Sequence, residues 1–210
     1  NQIRYHKQIL QTIIELEDAD EFIIALSQLI KRLAVDHLHI VGDIFDRGPC
    51  ADRIMDLLTT YHSIDIEWGN HDILWMGAAA GSRACIATVI RNNLKYDNMK
   101  IMENSYGISL RNLTLFAEKI YPQIDPMEAA LKAISVLLFK LEGQVILRNP
   151  DYKMEDKLLL HKVDVKRQVV EIGGKEYKIK KEEFPTVSFA AESVEEVYQL
   201  TEEEENVMEG

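Results

Sequence analysis

Two short stretches carry residue types that ordinary turns do not need. "GDIFDRG" (42–48) sets Asp43, Asp46 and Arg47 within five positions, and "GNHD" (69–72) sets Asn70, His71 and Asp72 side by side. Charges at the mouth of a buried element lose solvation unless something there uses them. A carboxylate, an amide oxygen and an imidazole supply hard oxygen and borderline nitrogen donors, a set suited to Mn²⁺, Fe or Zn²⁺. Arg47 adds a planar fork that matches a phosphate oxyanion. Metal, arginine and imidazole together make a constellation for phosphoester hydrolysis, with the metal activating water and the imidazole protonating the leaving oxygen.

Such groups must be held by regular elements, and the surrounding pattern predicts them. His37 to Val41 reads as a short strand, "CADRIMDLLTTYH" after Pro49 as a helix, and "SIDIEW" as a second strand with two different faces. Strand, helix and strand within about thirty residues make a βαβ unit with parallel strands. Both chemical clusters then fall beyond the carboxyl ends of strands, where open parallel sheets bind ligands.

Upstream, residues 3–16 and "DADEFIIALSQLIKRLAV" have helical spacing, the second opened by Asp18, Asp20 and Glu21. Downstream, the small residues of "ILWMGAAAGSRACIATVIRNNL" predict a helix lying close to a neighbour. Residues 99–122 read as two helical pieces broken near Gly107. Asp125-Pro126-Met127-Glu128 is a helix start by cap and proline, and the helix is expected to run to about Glu142 with Gly143 as an interruption. After Asn149-Pro150, "VKRQVVEI", Gly173-Gly174 and "KEYKIK" read as a β-hairpin. "ESVEEVYQLTEEEENVMEG" reads as an acidic helix in which Glu202 to Glu205 form a solvated face. The fold class expected is α/β. A first part, 1–150, would hold a βαβ core and a long helical insert; a second, 151–210, would add the hairpin and the acidic segment of the same domain.

A formal charge of −11 removes any broad attraction for nucleic acid, whose binding depends on phosphate contacts, yet allows a small anionic substrate beside a local Arg or metal. No apolar run is long enough to span a bilayer, and no basic-then-apolar signal segment opens the chain, so no membrane partner is expected. The two cysteines, Cys50 and Cys85, form no metal or disulfide pattern and fit a reducing, cytoplasmic setting.

Several residues have plainer roles. His37 and His39 share one strand face and read as satisfied polar residues under a neighbouring helix rather than as ligands. His6 and His62 read as surface residues of helices, and Trp68 and Trp75 as packing around the second cluster. Cys50 reads as a small buried filler, and Met76, Met99 and Met102 as core.

Gly42-Asp43-Ile44-Phe45-Asp46-Arg47-Gly48 and Gly69-Asn70-His71-Asp72 resemble two signature motifs of the calcineurin-like dinuclear metallophosphatases, GDxxDRG and GNH followed by Asp or Glu. The wider text from "DEFIIALSQLIKRLAVDHLHIVGDIFDRGP" through "WGNHDILWMGAAAG", with "KAISVLLFKLEGQVI", "MEDKLLL" and "LTEEEENVME", resembles the class III fructose-1,6-bisphosphatases of bacteria over nearly the whole chain. That resemblance implies part of a sandwich of two mixed sheets flanked by helices, a sugar phosphate as substrate, two Mn²⁺ ions in the complete site and a place in gluconeogenesis. It also implies roles. Asp43 would bridge the ions and Asn70 would bind one of them. His71 would be the general acid, oriented by Asp46, and Arg47 would hold the phosphate. Glycines 42, 48 and 69 would permit tight turns and close approach. Asp72 stands where many relatives carry Glu and would support the following helix as a cap.

The D-x-H motif with which the superfamily begins is absent ahead of Asp43. The only histidine beyond His71 is His161, in a helical context, and it inherits no ligand role. About half of a dinuclear site is present, so the chain is expected to be an internal part of a longer polypeptide. The same motifs also serve protein phosphatases and dinucleotide-polyphosphate hydrolases, and a fragment with half a site would also suit a structural role without turnover.

Overall fold

A computed structural model describes residues 2–16 and 19–209; Asp18, expected at a helix start, lies outside them. The chain is mixed and helix-rich, with two small two-stranded sheets among the described residues, and it divides into two compact units.

The first unit comprises the residues up to Gly42 and Ile54–Glu67. It holds helices α1 (Gln2–Glu15) and α2 (Ala19–Ala34), strand β1 (Leu38–Ile40), most of α3 (Ala51–Thr59) and strand β2 (Ile64–Ile66). The strands pair in parallel, Leu38 opposite Ile64 and Ile40 opposite Ile66. Alternation puts Leu38, Ile40, Ile64 and Ile66 on one half-buried face and His39 and Asp65 on the other, exposed one. His37 and His39 are therefore not covered by a helix. Asp65 Oδ1 receives His37 Nε2 at 2.9 Å and His39 Nδ1 at 2.8 Å, and Ser63 Oγ lies 2.8 Å from His37 Nδ1. Helix α3 ends at Thr59 instead of continuing to His62, with Thr59 and Thr60 hydroxyls folded back onto the carbonyls of Asp56 and Leu57.

The second unit, Asp43–Arg53 and Trp68 onward, is built around α8 (Pro126–Arg148). Helices α4 (Asn70–Ala79), α5 (Arg83–Lys95), α6 (Met99–Tyr106) and α7 (Arg111–Ile120) precede it. Gly107, in the left-handed conformation at φ 65°, ends α6. The Asp125 carboxylate caps α8 by accepting from the amides of Met127 and Glu128, with Pro126 at the first helical position. Apolar residues surround α8, which is therefore buried by α5 on one side and α7 on another: Ala129, Ala133, Ile134, Leu137 and Leu141 are all nearly inaccessible.

Helix α8 does not break at Gly143; it continues to Arg148. The glycine is there for closeness, because a Cβ at 143 would fall within the ring of Tyr198. That residue is held at both ends: Leu160 N donates to the ring hydroxyl at 3.0 Å, and Gln144 Nε2 donates to the Tyr198 backbone carbonyl at 2.8 Å.

Past α8 come short 3₁₀ turns, then β3 (Val169–Ile172) and β4 (Lys175–Lys178), antiparallel across Gly173-Gly174, and finally α9 (Val194–Val197) and α10 (Glu202–Glu209). The acidic end is thus two helices. Its glutamate run is only partly the solvated face expected: Glu202 and Glu203 are exposed, Glu203 pairs with Lys119 and Glu205 with Arg83 at the surface, whereas Glu204 is wholly buried on Lys140 at 2.7 Å. Glu204 also completes a reciprocal cap with Thr201 and accepts from Thr186 Oγ1 at 2.5 Å. Cys50 is exposed, not a buried filler, and Met76 is half exposed, whereas Met102 is core.

Burial draws the Lys140 ammonium below its ordinary pKa, with Glu204 opposing the shift. Removing only one partner leaves a buried charge, so Glu204→Gln is expected to cost about 3–5 kcal/mol. Lys140→Met with Glu204→Leu should cost less than either single change, as read by urea denaturation. On the first sheet, hydrogen bonding to Asp65 raises the His39 pKa, and the two histidines lower that of Asp65. A raised imidazole contributes fully below its ordinary value near 6.5 and fades as pH climbs through the raised value; the lowered carboxylate contributes above about 3.8 and fades as pH falls through its lowered value. The pairing is expected to be strongest between those limits. In an NMR titration the His39 ring should turn over above pH 6.5 and move down in Asp65→Asn.

Candidate active site

The first cluster begins where the backbone is least ordinary. Gly42 has φ 88° and Asp43 φ 54°, two successive left-handed residues, the second carrying a side chain. What holds Asp43 there is Asp72. Its carboxylate accepts from Asp43 N at 2.6 Å, Phe45 N at 3.0 Å and Gly69 N at 2.9 Å, and it is 1% exposed. Asp72 is the third residue of α4, where the helix dipole favours negative charge, and its carboxylate reaches back to the Gly69 amide at the N-cap. One carboxylate thus joins "GDIFDRG" to "GNHD". Gly69 permits the join, because a Cβ at 69 would collide with the Asp43 carboxylate and amide. His71 N adds a bond to Asp43 Oδ1 at 3.2 Å. Gly48 has neither a left-handed φ nor a neighbour that a Cβ would strike, so it carries no such constraint.

Around this knot three of the expected residues meet on one oxygen. Asp46 Oδ1 lies 2.9 Å from His71 Nε2 and 3.3 Å from Arg47 Nε. Neither N–H is aligned on it, and among the described residues it is the one buried side-chain atom left without a hydrogen bond. His71 is half-buried and Arg47 mostly exposed. Asn70 opens α4 with its side chain exposed, next to the His71 amide that reaches Asp43. Trp75 packs between Phe45 at 4.9 Å and Tyr106 at 5.1 Å, placing an aromatic row behind the motif loop. Ser105 Oγ donates to Asp52 at 2.7 Å and holds that carboxyl below its usual range.

Two residues absent from the sequence reading also touch the loop. The Arg47 guanidinium lies 5.0 Å over the ring of Tyr96, and Asn98 Nδ2 donates to the Arg47 carbonyl at 2.9 Å. No local pattern marks them, since they come from the turn between α5 and α6.

As a metal site the set is partial. Asp43 and Asn70 offer exposed oxygens and Asp46 an oxygen with unsatisfied lone pairs, donors of the hard kind that Mn²⁺ takes. Among the described residues no group of three or more His, Cys, Asp or Glu side chains gathers to hold an ion. His161 stands in a 3₁₀ turn against Tyr198, its pKa pushed down by burial and by Lys162, and joins neither cluster. Nor do His37 and His39, which are committed to Asp65. Among the described residues no helix is long and apolar enough to cross a membrane.

A family model described as Firmicute fructose-1,6-bisphosphatase matches residues 1–210. A fructose-1,6-bisphosphatase class 3 of Listeria innocua is 47% identical over 98% of this chain and 34% of its own length. One from Clostridium beijerinckii is 49% identical over 87% of this chain and 31% of its own. One from Phocaeicola vulgatus is 44% identical over 99% of this chain and 34% of its own. The chain therefore spans about a third of the length of the curated relatives it matches. No solved structure matches it. With paired motifs tied by one buried carboxylate and a family match from end to end, the chain belongs to the Firmicute fructose-1,6-bisphosphatase family.

Proposed function

We propose that this chain carries part of the active site of a cytoplasmic phosphoester hydrolase that converts fructose 1,6-bisphosphate to fructose 6-phosphate and phosphate, a step of gluconeogenesis. The observation that carries the reading is the convergence of His71 and Arg47 on Asp46 Oδ1. The relatives' names, fructose-1,6-bisphosphatase class 3, supply the substrate. On this reading residues 1–150 hold a portion of a metallophosphatase core, its first βαβ unit and helical insert, and 151–210 belong to the same domain.

Arg47 would grip the phosphate, its fork offering paired donors to the phosphoryl oxygens. His71 has Nε2 turned to Asp46, which leaves Nδ1 to give a proton to the departing sugar oxygen. Asp46 would orient that ring and stabilise its charged form, as a carboxylate beside an imidazole does. Asp43 and Asn70 would contribute ligands to Mn²⁺, or to Fe or Zn²⁺, whose chemistry when bound is to acidify a water and polarise the phosphoryl group. Asp72 touches no reactant and keeps the two motifs in register.

Phosphate release from fructose 1,6-bisphosphate in the presence of Mn²⁺, run beside a generic aryl phosphate, tests this. Turnover preferring the sugar bisphosphate and falling about 10²- to 10⁴-fold in His71→Ala is expected. Equal turnover of both substrates would favour another phosphoester, and none on either would overturn catalysis by this chain alone. Asp72→Asn should lower both stability and activity. Replacing a charged acceptor of three amides is expected to cost about 3 kcal/mol, measured by thermal unfolding, with loss of turnover even below the melting range.

A further inference from the structure

Arg47 is more exposed than Asp46 and His71, with its side chain 62% accessible. A long exposed side chain samples many rotamers, and a phosphate grip works to the extent that its fork is oriented in advance. We infer that the Tyr96–Asn98 turn is a positioning element for Arg47, setting both its backbone and its guanidinium for a phosphate group. The inference rests on the phosphate-binding reading of Arg47 given above.

Two contacts act on different parts of the residue. Asn98 Nδ2 fixes the Arg47 carbonyl at 2.9 Å, and the Tyr96 ring lies beneath the guanidinium at 5.0 Å. The turn that presents them is itself firmly seated. Tyr96 N donates to Asn92 O at 3.1 Å and Asn98 N to Asn93 O at 2.9 Å, closing the end of α5. Between them Asp97 takes a left-handed φ of 56°, which brings residues 96 and 98 to the same loop. Asn93 is buried and donates to Val89 O at 2.8 Å, so the turn is continuous with the packed interior of α5. Tyr96 is 38% exposed, more than a residue placed only for core packing. The ring face offers the guanidinium an electrostatic partner that leaves its N–H edges free for oxygens. Asp46, the other partner of the side chain, faces Nε and likewise spares the terminal nitrogens.

The test reads phosphate affinity and arginine order in the full chain. Inorganic phosphate is titrated calorimetrically, and the ¹⁵Nε relaxation of Arg47 is recorded, for wild type, Tyr96→Phe, Tyr96→Leu, Asn98→Ala and Arg47→Met. Tyr96→Phe keeps the ring and should match wild type. Tyr96→Leu keeps apolar volume without the ring face and should weaken phosphate about two- to five-fold, with a more mobile Arg47 Nε. Asn98→Ala should act in the same direction, and thermal melts should show both variants folded. Unchanged affinity and Nε order in folded Tyr96→Leu and Asn98→Ala, beside weakened binding in Arg47→Met, would overturn the positioning role while leaving Arg47 as the phosphate group's partner. Unchanged binding in Arg47→Met would overturn the phosphate reading itself, and the inference with it.

Discussion

A buried carboxylate without partners is among the least tolerable things a fold can contain. Asp72 is buried almost completely, and three backbone amides from two distant segments make that tolerable. The dependence runs in both directions. The amides of Asp43 and Phe45 have their acceptor only if α4 begins where it does, and the same side chain accepts the Gly69 amide at the start of α4. Asp43 can then remain left-handed, and His71, one position before Asp72, is delivered to Asp46. Its length matters too. Oδ2 serves both Asp43 N and Gly69 N, so the two segments approach as closely as one oxygen allows. A glutamate in its place would need the loop set back by a methylene.

The helical remainder of the second unit follows a comparable rule. Lys140 is buried inside α8, an apolar helix, and its charge is answered by Glu204 and by the Thr186 carbonyl. Glu204 can answer because Thr201 starts α10 one turn earlier, and the same glutamate caps that helix. Ion pairs of this kind fix register more than they add stability. Here the register is that of α10 against α7 and α8, with the exposed pairs Lys119–Glu203 and Arg83–Glu205 alongside.

What could be read from the sequence was local. The Asp125-Pro126 start, the Gly107 stop and the parallel pairing of β1 and β2 rest on propensities and spacings within a few turns of chain. The pairing of His71 with Asp46 is what the motifs' resemblance to a known family implies, and the geometry brings those side chains together. Contacts between distant segments were missed. Gly143 looks like a helix stop until Tyr198, fifty-five residues on, is seen lying on it. Glu204 looks as solvated as its neighbours until Lys140 arrives from α8, while Glu203 and Glu205 gain surface partners in Lys119 and Arg83 from two other helices. Yet Thr201 and Glu204 have the spacing of a reciprocal helix cap, a local signal present in the sequence. Tyr96 and Asn98 left no such trace, because a turn that serves a loop about fifty residues away has no period of its own.

The expected site residues differ in how firmly the protein holds them, and the difference follows their contacts. Asp46 and His71 are partly buried and face each other, and Arg47 has contacts on its backbone, its Nε and its guanidinium face. Asp43 is fixed through its backbone but exposes its side chain, and Asn70 is exposed at a helix start. Groups that must meet a substrate at one angle gain from being oriented before it arrives, whereas oxygens destined for a cation are drawn into place by the charge itself. On the proposed reading, the acid and the phosphate grip are built into this segment. On the same reading, Asp43 and Asn70 would begin a cation's ligand set that further donors would have to close.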